Sequence, residues 1–435
     1  MSRFSQPSGV SLPTEPIPLS TKLAYSSGNL GKSFLWNAFE SVLLYFLVFN
    51  AGLSAAYAGA LLASLMVWDG LADLAISYRS DWTGRRDAQA RLIRVAAPLC
   101  GAGFALIFAA PGFGGTALTV AAVVGSRIGY TLGDVGHNTL LLRVVRTERD
   151  SGDVSALRLI FSALGGSGVG LALAKVLAIG DQAGRSHAFV IFGVVGGALY
   201  ASTLIFAQIA TARLADGERK PLKVPAITML RRLLANPAYR FALCVVAIQS
   251  MLIPFFSRAL PFFGHAVMRD AAWAGWALAS MTFGQGVALP LWMIVARHIP
   301  TRTVLAVSHI GLILSIGCFA FSLTSTAGMI FLALLGGSQA GMNTAIWALL
   351  AMSVQSERGN GIVGEAFPIG LFVATLKAAS GLGTALLAVL VAKLLPVCPL
   401  CPPISPSFVL SGALGIPVLG AICVLYLQFA SSRRR

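Results

Sequence analysis

Two aspartates, Asp69 and Asp73, lie within the apolar run Val67-Trp68-Asp69-Gly70-Leu71-Ala72-Asp73. On a helix they stand one turn apart, so both carboxylates face the same way. Further along, Asp134 sits in another apolar run with His137 a turn later, and Glu40, Arg127, Arg158 and Lys377 are embedded in similar surroundings. Two carboxylates on one face, joined by a third from a neighbouring helix, form either an oxygen cage for a hard monovalent cation or a proton relay. Lys377 then balances the cluster when no cation is bound. The competing use of the same residues is plainer: interhelical salt bridges near a gate. Glu40 either contacts a solute or pairs with Arg158 or Arg127. His137 and His309 are expected to be packed, hydrogen-bonded histidines.

These charges are informative because of where they sit. Hydrophobic residues make up 56% of the 435 positions and charged residues only 11%, with a mean hydropathy of +0.79. So much apolar surface does not fit inside one water-soluble core. It divides into runs of the length that crosses a bilayer, about 20 residues each. The runs fall near 31–52, 56–77, 92–110, 116–141, 157–179 and 187–212, then near 240–263, 273–296, 303–324, 328–354, 362–395 and 408–430. The expected fold is an all-α polytopic membrane protein of about twelve helices in two halves of about six, with a solute site near the midplane where the halves meet. An ionisable group inside such a span costs a few kcal/mol or more and needs a partner, a water-filled cavity or a task.

The net charge of +16 is placed as topology rather than as a nucleic-acid surface. Arg79, Arg85, Arg86, Arg91 and Arg94 follow the second run, Arg143, Arg146 and Arg149 the fourth, and Arg213 to Arg232 fill the centre. Alternate loops are poor in Lys and Arg, which orients both termini and the linker toward the cytoplasm of a bacterial-type inner membrane. The expected parts are a cytoplasmic tail at 1–27, helical halves at 28–212 and 240–430, a linker at 213–239 and a basic tail at 431–435. Residues 1–27 carry no cleavable-signal pattern. Pro221 and Pro225 interrupt the linker, and the stretch from Arg231 suits a short amphipathic surface helix. Asp81, Arg85 and Arg86 suggest a cytoplasmic gating network. Cys398 and Cys401 form a disulfide, hold a metal, or are free thiols in a stiff proline loop. Six tryptophans (Trp36, Trp68, Trp273, Trp276, Trp292, Trp347) suit interface anchoring or stacking on a sugar face. No nucleophile–base pair, zinc-ligand cluster or phosphate-cradling loop is visible, so an enzyme is not expected.

Four stretches resemble the glycoside–pentoside–hexuronide:cation symporters, the melibiose-permease-like branch of the major facilitator superfamily. They are Gly28-Asn29-Leu30-Gly31-Lys32 with Gly52-Leu53-Ser54; Trp68-Asp69 to Asp73; Tyr130-Thr131-Leu132-Gly133-Asp134 with Leu157-Arg158-Leu159-Ile160-Phe161-Ser162; and Gly361 to Gly364 with Glu365 and Lys377. The resemblance implies alternating access coupled to Na⁺ or H⁺, without any other cofactor. By the same resemblance Asp69, Asp73, Thr131, Asp134 and Lys377 form the cation site, and Asp134, supported by Arg158, contacts the solute; Lys32, Glu40 and Asn138 are further candidate solute contacts. The sequence departs from the family at Ser33, where a sugar-binding aspartate is usual, at Asn138 in place of an aromatic, and at Arg127 in place of a small residue beside the cation site. The expected partners are a small organic solute, glycoside-like by the resemblance, a monovalent cation and the bilayer, with a monomer as the working unit. The alternative is a proton-linked exporter or a lysolipid carrier on the same fold.

Overall fold

Backbone N–H and C=O groups find no water inside a bilayer, so apolar runs of this length satisfy them internally as helices. A computed structural model of the chain describes residues 17–83, 87–145, 148–214, 221–323, 326–358, 366–394 and 406–432, and no strand occurs among them. Arg85, Arg86, Gly361 to Gly364, Glu365, Cys398 and Cys401 lie outside the described residues.

The first half comprises α1 (Leu19–Ser41), α2 (Leu43–Phe49), α3 (Ala55–Thr83), α4 (Asp87–Ala109), α5 (Gly115–Val144), α6 (Glu148–Leu177) and α7 (Gln182–Thr211). The linker carries α8 (Ala226–Ala235). The second half comprises α9 (Pro237–Leu252), α10 (Phe255–Phe263), α11 (Trp273–Val295), α12 (Thr301–Ala320), α13 (Thr326–Arg358), α14 (Ala366–Leu394) and α15 (Pro406–Ser432). Among the described residues, ten spans are individually long and apolar enough to cross a membrane, and α1 with α2, bent by 48°, supplies an eleventh. The remaining long helix is α5, whose apolar character is diluted by Arg127 and Asp134.

Two boundaries differ from the sequence expectation. Helix α1 begins at Leu19, inside the stretch read as a tail, because Lys22 is buried there against Asp150 at 2.7 Å and Asp153 at 2.8 Å. The seventh span is broken: Pro254 precedes α10, and a π-turn at Gly264–Met268 follows it. Proline removes a helical donor and crowds the preceding turn, which accounts for the break.

Helix α1 meets α10, and the most extensive contacts between the halves are those of α3 with α14 and of α6 with α11. Both approaches depend on missing side chains. A Cβ on Gly70 would lie 2.9 Å from the carbonyl oxygen of Ala374, and one on Gly275 would lie 2.1 Å from the backbone nitrogen of Ala174. Small residues of this kind let membrane helices meet backbone to backbone. In the linker, α8 buries Met229 and Leu233 and exposes Arg231, as an amphipathic helix should. The preceding strap is tied to the end of α3: the Leu222 N–H donates to the Asp81 carbonyl at 2.9 Å, and Lys223 lies over the Trp82 ring at 4.8 Å.

Candidate functional site

A cavity of about 730 Å³ lies between the halves, walled by α1, α6, α9, α10, α11, α13 and α14. Its polar lining is mostly uncharged. Amides come from Asn37, Gln249, Gln285, Gln339 and Asn343, and hydroxyls from Ser33, Ser250, Ser257 and Thr344. Trp36 and Trp347 add two broad aromatic faces on opposite halves. On α11 and α13 the lining continues to Met293 and Trp347, toward the linker end of the bundle. The far end is shut by aromatic contacts between α2 and α10, where Tyr45 and Phe49 meet Phe262 at ring distances of 5.6 and 5.9 Å.

The charged groups in the wall are Glu40 and Arg258. Arg258 Nε donates to Glu40 Oε2 at 2.7 Å, and its Nη2 reaches the same oxygen at 2.5 Å. Arg258 also donates to Ser380, whose hydroxyl is 3.4 Å from Glu40 Oε1. Glu40 therefore pairs with an arginine from the other half, and not with Arg158 or Arg127 as the sequence suggests. Sequence reasoning passes over Arg258 because the run from Leu252 to Phe263 is otherwise so apolar. The signal is nonetheless there, in an arginine held between Pro254 and Pro261 in a membrane span, a residue that needs a partner.

The predicted cation residues lie outside the cavity wall, each carboxylate matched to a different cation. Asp69 is fully buried; Arg127 binds its Oδ2, and the Thr131 hydroxyl donates to its Oδ1 at 2.7 Å. Asp73 faces Lys377 across the halves at 2.5 Å. Asp134 is paired with Lys32, which also donates to Asn138 at 3.1 Å. Asn138 in turn donates to the other oxygen of Asp134 at 3.2 Å. Each of the three carboxylates is thus held by a different cationic side chain, Arg127, Lys377 or Lys32. Lys32, Asp134, Asn138 and Arg158, expected as solute contacts, do not line the cavity, and of that set only Glu40 does. Arg158 Nε is buried with no hydrogen-bond partner among the described residues.

His137 and His309 are buried and hydrogen-bonded. His137 stacks on Tyr25 at 4.6 Å and bonds to the Tyr25 carbonyl at 2.9 Å, and His309 bonds to Leu305 and Gln249. Asp81 caps α14 from across the interface, accepting from the Ala366 and Phe367 N–H groups at 3.0 and 2.8 Å. Of the tryptophans, Trp68 and Trp276 face outward, while Trp292 donates to the Gly337 carbonyl at 2.8 Å.

Comparisons with known proteins point to the same two-half fold. Residues 24–427 match the family described as MFS/sugar transport protein. The chain belongs to that family. It is 29% identical over 238 residues to the uncharacterized symporter sll1374 of Synechocystis sp., covering 52% of this chain and 42% of that protein. It is 27% identical over 194 residues to the uncharacterized symporter YnaJ of Bacillus subtilis, covering 42% of each. The chain thus spans less than half the length of either curated relative. Among solved structures it resembles the nucleoside transporter NupG, with TM-score 0.63 and 14% identity, covering 94% of this chain and 98% of that one. It also resembles the xylose transporter XylE of E. coli in a partially occluded inward-open conformation, with TM-score 0.62 and 12% identity, covering 94% and 99%. These likenesses establish a major facilitator fold and a multi-pass membrane protein. They are to transporters, and an enzyme finds no support among them.

Proposed function

We propose that this chain carries a polyhydroxylated, sugar-like solute across a bacterial plasma membrane by alternating access, with movement coupled to a monovalent cation. The cavity carries the reading. Its volume falls within the range of about 300–1,000 Å³ usual for small-molecule sites. Amides and hydroxyls that donate and accept suit a solute bearing many hydroxyls, and tryptophan faces suit the apolar side of a sugar ring. Glu40 Oε1 makes only a long contact to Ser380, so it is available to accept from a solute hydroxyl. The amides and hydroxyls favour such a solute, while Leu159, Ile253, Leu278, Met281, Leu289 and Met342 make up the apolar part of the wall.

Coupling is assigned to Asp73 and Lys377. The pair spans the two halves, is nearly sealed from solvent, and has no second hydrogen-bond partner for either group among the described residues. When the halves rock apart, the pair must separate or take up water. A cation or proton delivered to Asp73 lowers the cost of that step, and solute binding and ion binding become linked. If the linker end of the bundle is the cytoplasmic one, as the Lys and Arg placement implies, the cavity faces inward, and we take a single chain as the unit.

The test is counterflow in proteoliposomes with labelled methyl glycosides, disaccharides, pentoses and a lysophospholipid, comparing wild type with Asn343→Ala. Exchange of a hydroxylated probe, reduced tenfold or more in the variant, is the expected outcome. Exchange of the lysophospholipid alone, or hydroxylated-probe exchange indifferent to Asn343, would overturn the assignment.

A further inference from the structure

Arg127 lies mid-span in α5 and is 2% exposed, although arginine is among the costliest residues to place at membrane depth. Its surroundings are built to hold a positive charge. One terminal nitrogen binds Asp69, whose remaining oxygen is taken by Thr131. The other terminal nitrogen has no hydrogen-bond partner among the described residues. Instead the guanidinium carbon stands 4.9 Å from the Phe39 ring centre, 5.7 Å from Trp36 and 6.0 Å from Tyr130. Aromatic faces attract cations, and three of them close the open side of this one.

With the guanidinium removed, this place would present a buried carboxylate, a hydroxyl oxygen, aromatic faces and a second carboxylate, Asp73, one helical turn along. Oxygen donors of this kind are what a small hard cation requires. In this chain both Asp69 oxygens are already engaged. The occupant cannot lose its proton, because guanidinium stays charged in proteins. Nor can it leave, because it is covalently part of α5. Its contacts with α3 and α1 all lie within one half, so rocking of the halves does not separate it from Asp69.

We infer that Arg127 is a tethered cation filling what would otherwise be an exchangeable metal-ion site, so that no Na⁺ or Li⁺ binds at Asp69 and Thr131. This rests on the reading of the chain as an ion-coupled carrier and narrows it: exchange is left to Asp73 and Lys377, where a proton suffices. Trp36 stands between the guanidinium and the cavity, lining one and covering the other, so the fixed charge also orients a ring that faces the solute.

Thermal unfolding of the detergent-purified full chain in equal concentrations of NaCl, LiCl and choline chloride tests this. Wild type and Arg127→Lys should melt at the same temperature in all three salts. Arg127→Ala should melt lower in choline and be partly restored by Na⁺ or Li⁺, since a ligand that binds only the folded state raises its apparent stability. Recovery of folded Arg127→Ala only when Na⁺ or Li⁺ is present during purification counts as the same result. A folded Arg127→Ala indifferent to the salt would reduce the arrangement to an ordinary ion pair and sink the inference. Because that variant depends on folding, radioactive Na⁺ binding to wild type is measured alongside; binding that disappears in Asp69→Asn overturns the inference outright. A failure of every solute in counterflow would remove the transport reading while leaving these occupancy results standing.

Discussion

Removing the negative partner of Arg258 is the sharpest perturbation the cavity offers. In Glu40→Gln the side chain keeps its shape and its contact with Ser380, but Arg258, 2% exposed, loses the carboxylate that receives two of its N–H groups at 2.7 and 2.5 Å. Breaking one side of a buried ion pair costs about 3–5 kcal/mol, most of it from the charge left unpaired. The pair joins α1 to α10 and sits beneath the aromatic contacts that close the end of the bundle away from the linker. Opening that end parts Glu40 from Arg258 and admits water, so the cost falls on the closed arrangement alone. At about 1.4 kcal/mol per tenfold change, the balance should move toward the arrangement open at that end by on the order of 10² to several times 10³. Spin labels at Ser54 and Arg269, on exposed positions of the two halves at that end, report the shift as a longer inter-label distance by pulsed electron resonance. The double variant Glu40→Gln/Arg258→Gln removes both charges and should shift less than the single one, because matched neutral partners leave no buried charge. An unchanged distance distribution in folded Glu40→Gln, or a double variant that shifts as far as the single one, would refute the reasoning.

Asp73→Asn leaves the Lys377 ammonium facing an amide at a site that crosses the halves, so ion-driven accumulation of solute should fall at least tenfold while counterflow persists. Uptake with and without an imposed proton gradient in proteoliposomes checks this, and equal loss of both activities would argue for a structural role. Asp81→Ala removes the acceptor for the first two N–H groups of α14, a cap worth about 0.5–2 kcal/mol. Hydrogen exchange in the first turn of α14 should then speed up by about 2–30-fold. The rest of α14, held against α3 by backbone approach at Gly70, should exchange as before.

The number and order of the spans were legible because bilayer thickness sets one length for every apolar run. The helical linker segment was legible from its basic residues and from Pro221 and Pro225. The start of α1 was not: Lys22 looks like tail composition, and only the arrival of Asp150 and Asp153 from α6 makes a helical turn there worth ordering. The broken seventh span was written in Pro254 and Pro261, yet its consequence, an arginine turned inward to meet Glu40, depends on where α1 lies across the interface. At the candidate site, rarity picked out Asp69, Asp73, Asp134 and Lys377 as residues needing partners. It could not pair them, because pairing depends on which helix faces which. Spacing placed Asp69 and Asp73 on one face, but Asp69 is claimed by α5 within its own half, whereas Asp73 is claimed by α14 in the other.

That division between pairs within a half and pairs across halves orders the whole charge network. Asp69 with Arg127 and Asp134 with Lys32 are internal to the first half, so a rigid-body motion of the halves leaves them intact. Their cost of burial is met once, on folding, and they hold α1, α3 and α5 in a fixed arrangement. Glu40 with Arg258, Asp73 with Lys377 and Asp81 with the start of α14 all cross the interface, and a rocking motion must break or remake each of them. Only contacts of the second kind differ in free energy between two arrangements, and only they bias which arrangement prevails. On the transport reading, solute acts on the network at Glu40, the one member in the cavity wall that belongs to the first half. A solute hydroxyl that draws Glu40 away from Arg258 weakens the contact holding the far end shut. Asp73 and Lys377 then set the cost of completing the motion, which is where a coupled proton has its effect. The internal pairs, however conspicuous in the sequence, should be tuned by mutation for stability and the crossing pairs for turnover.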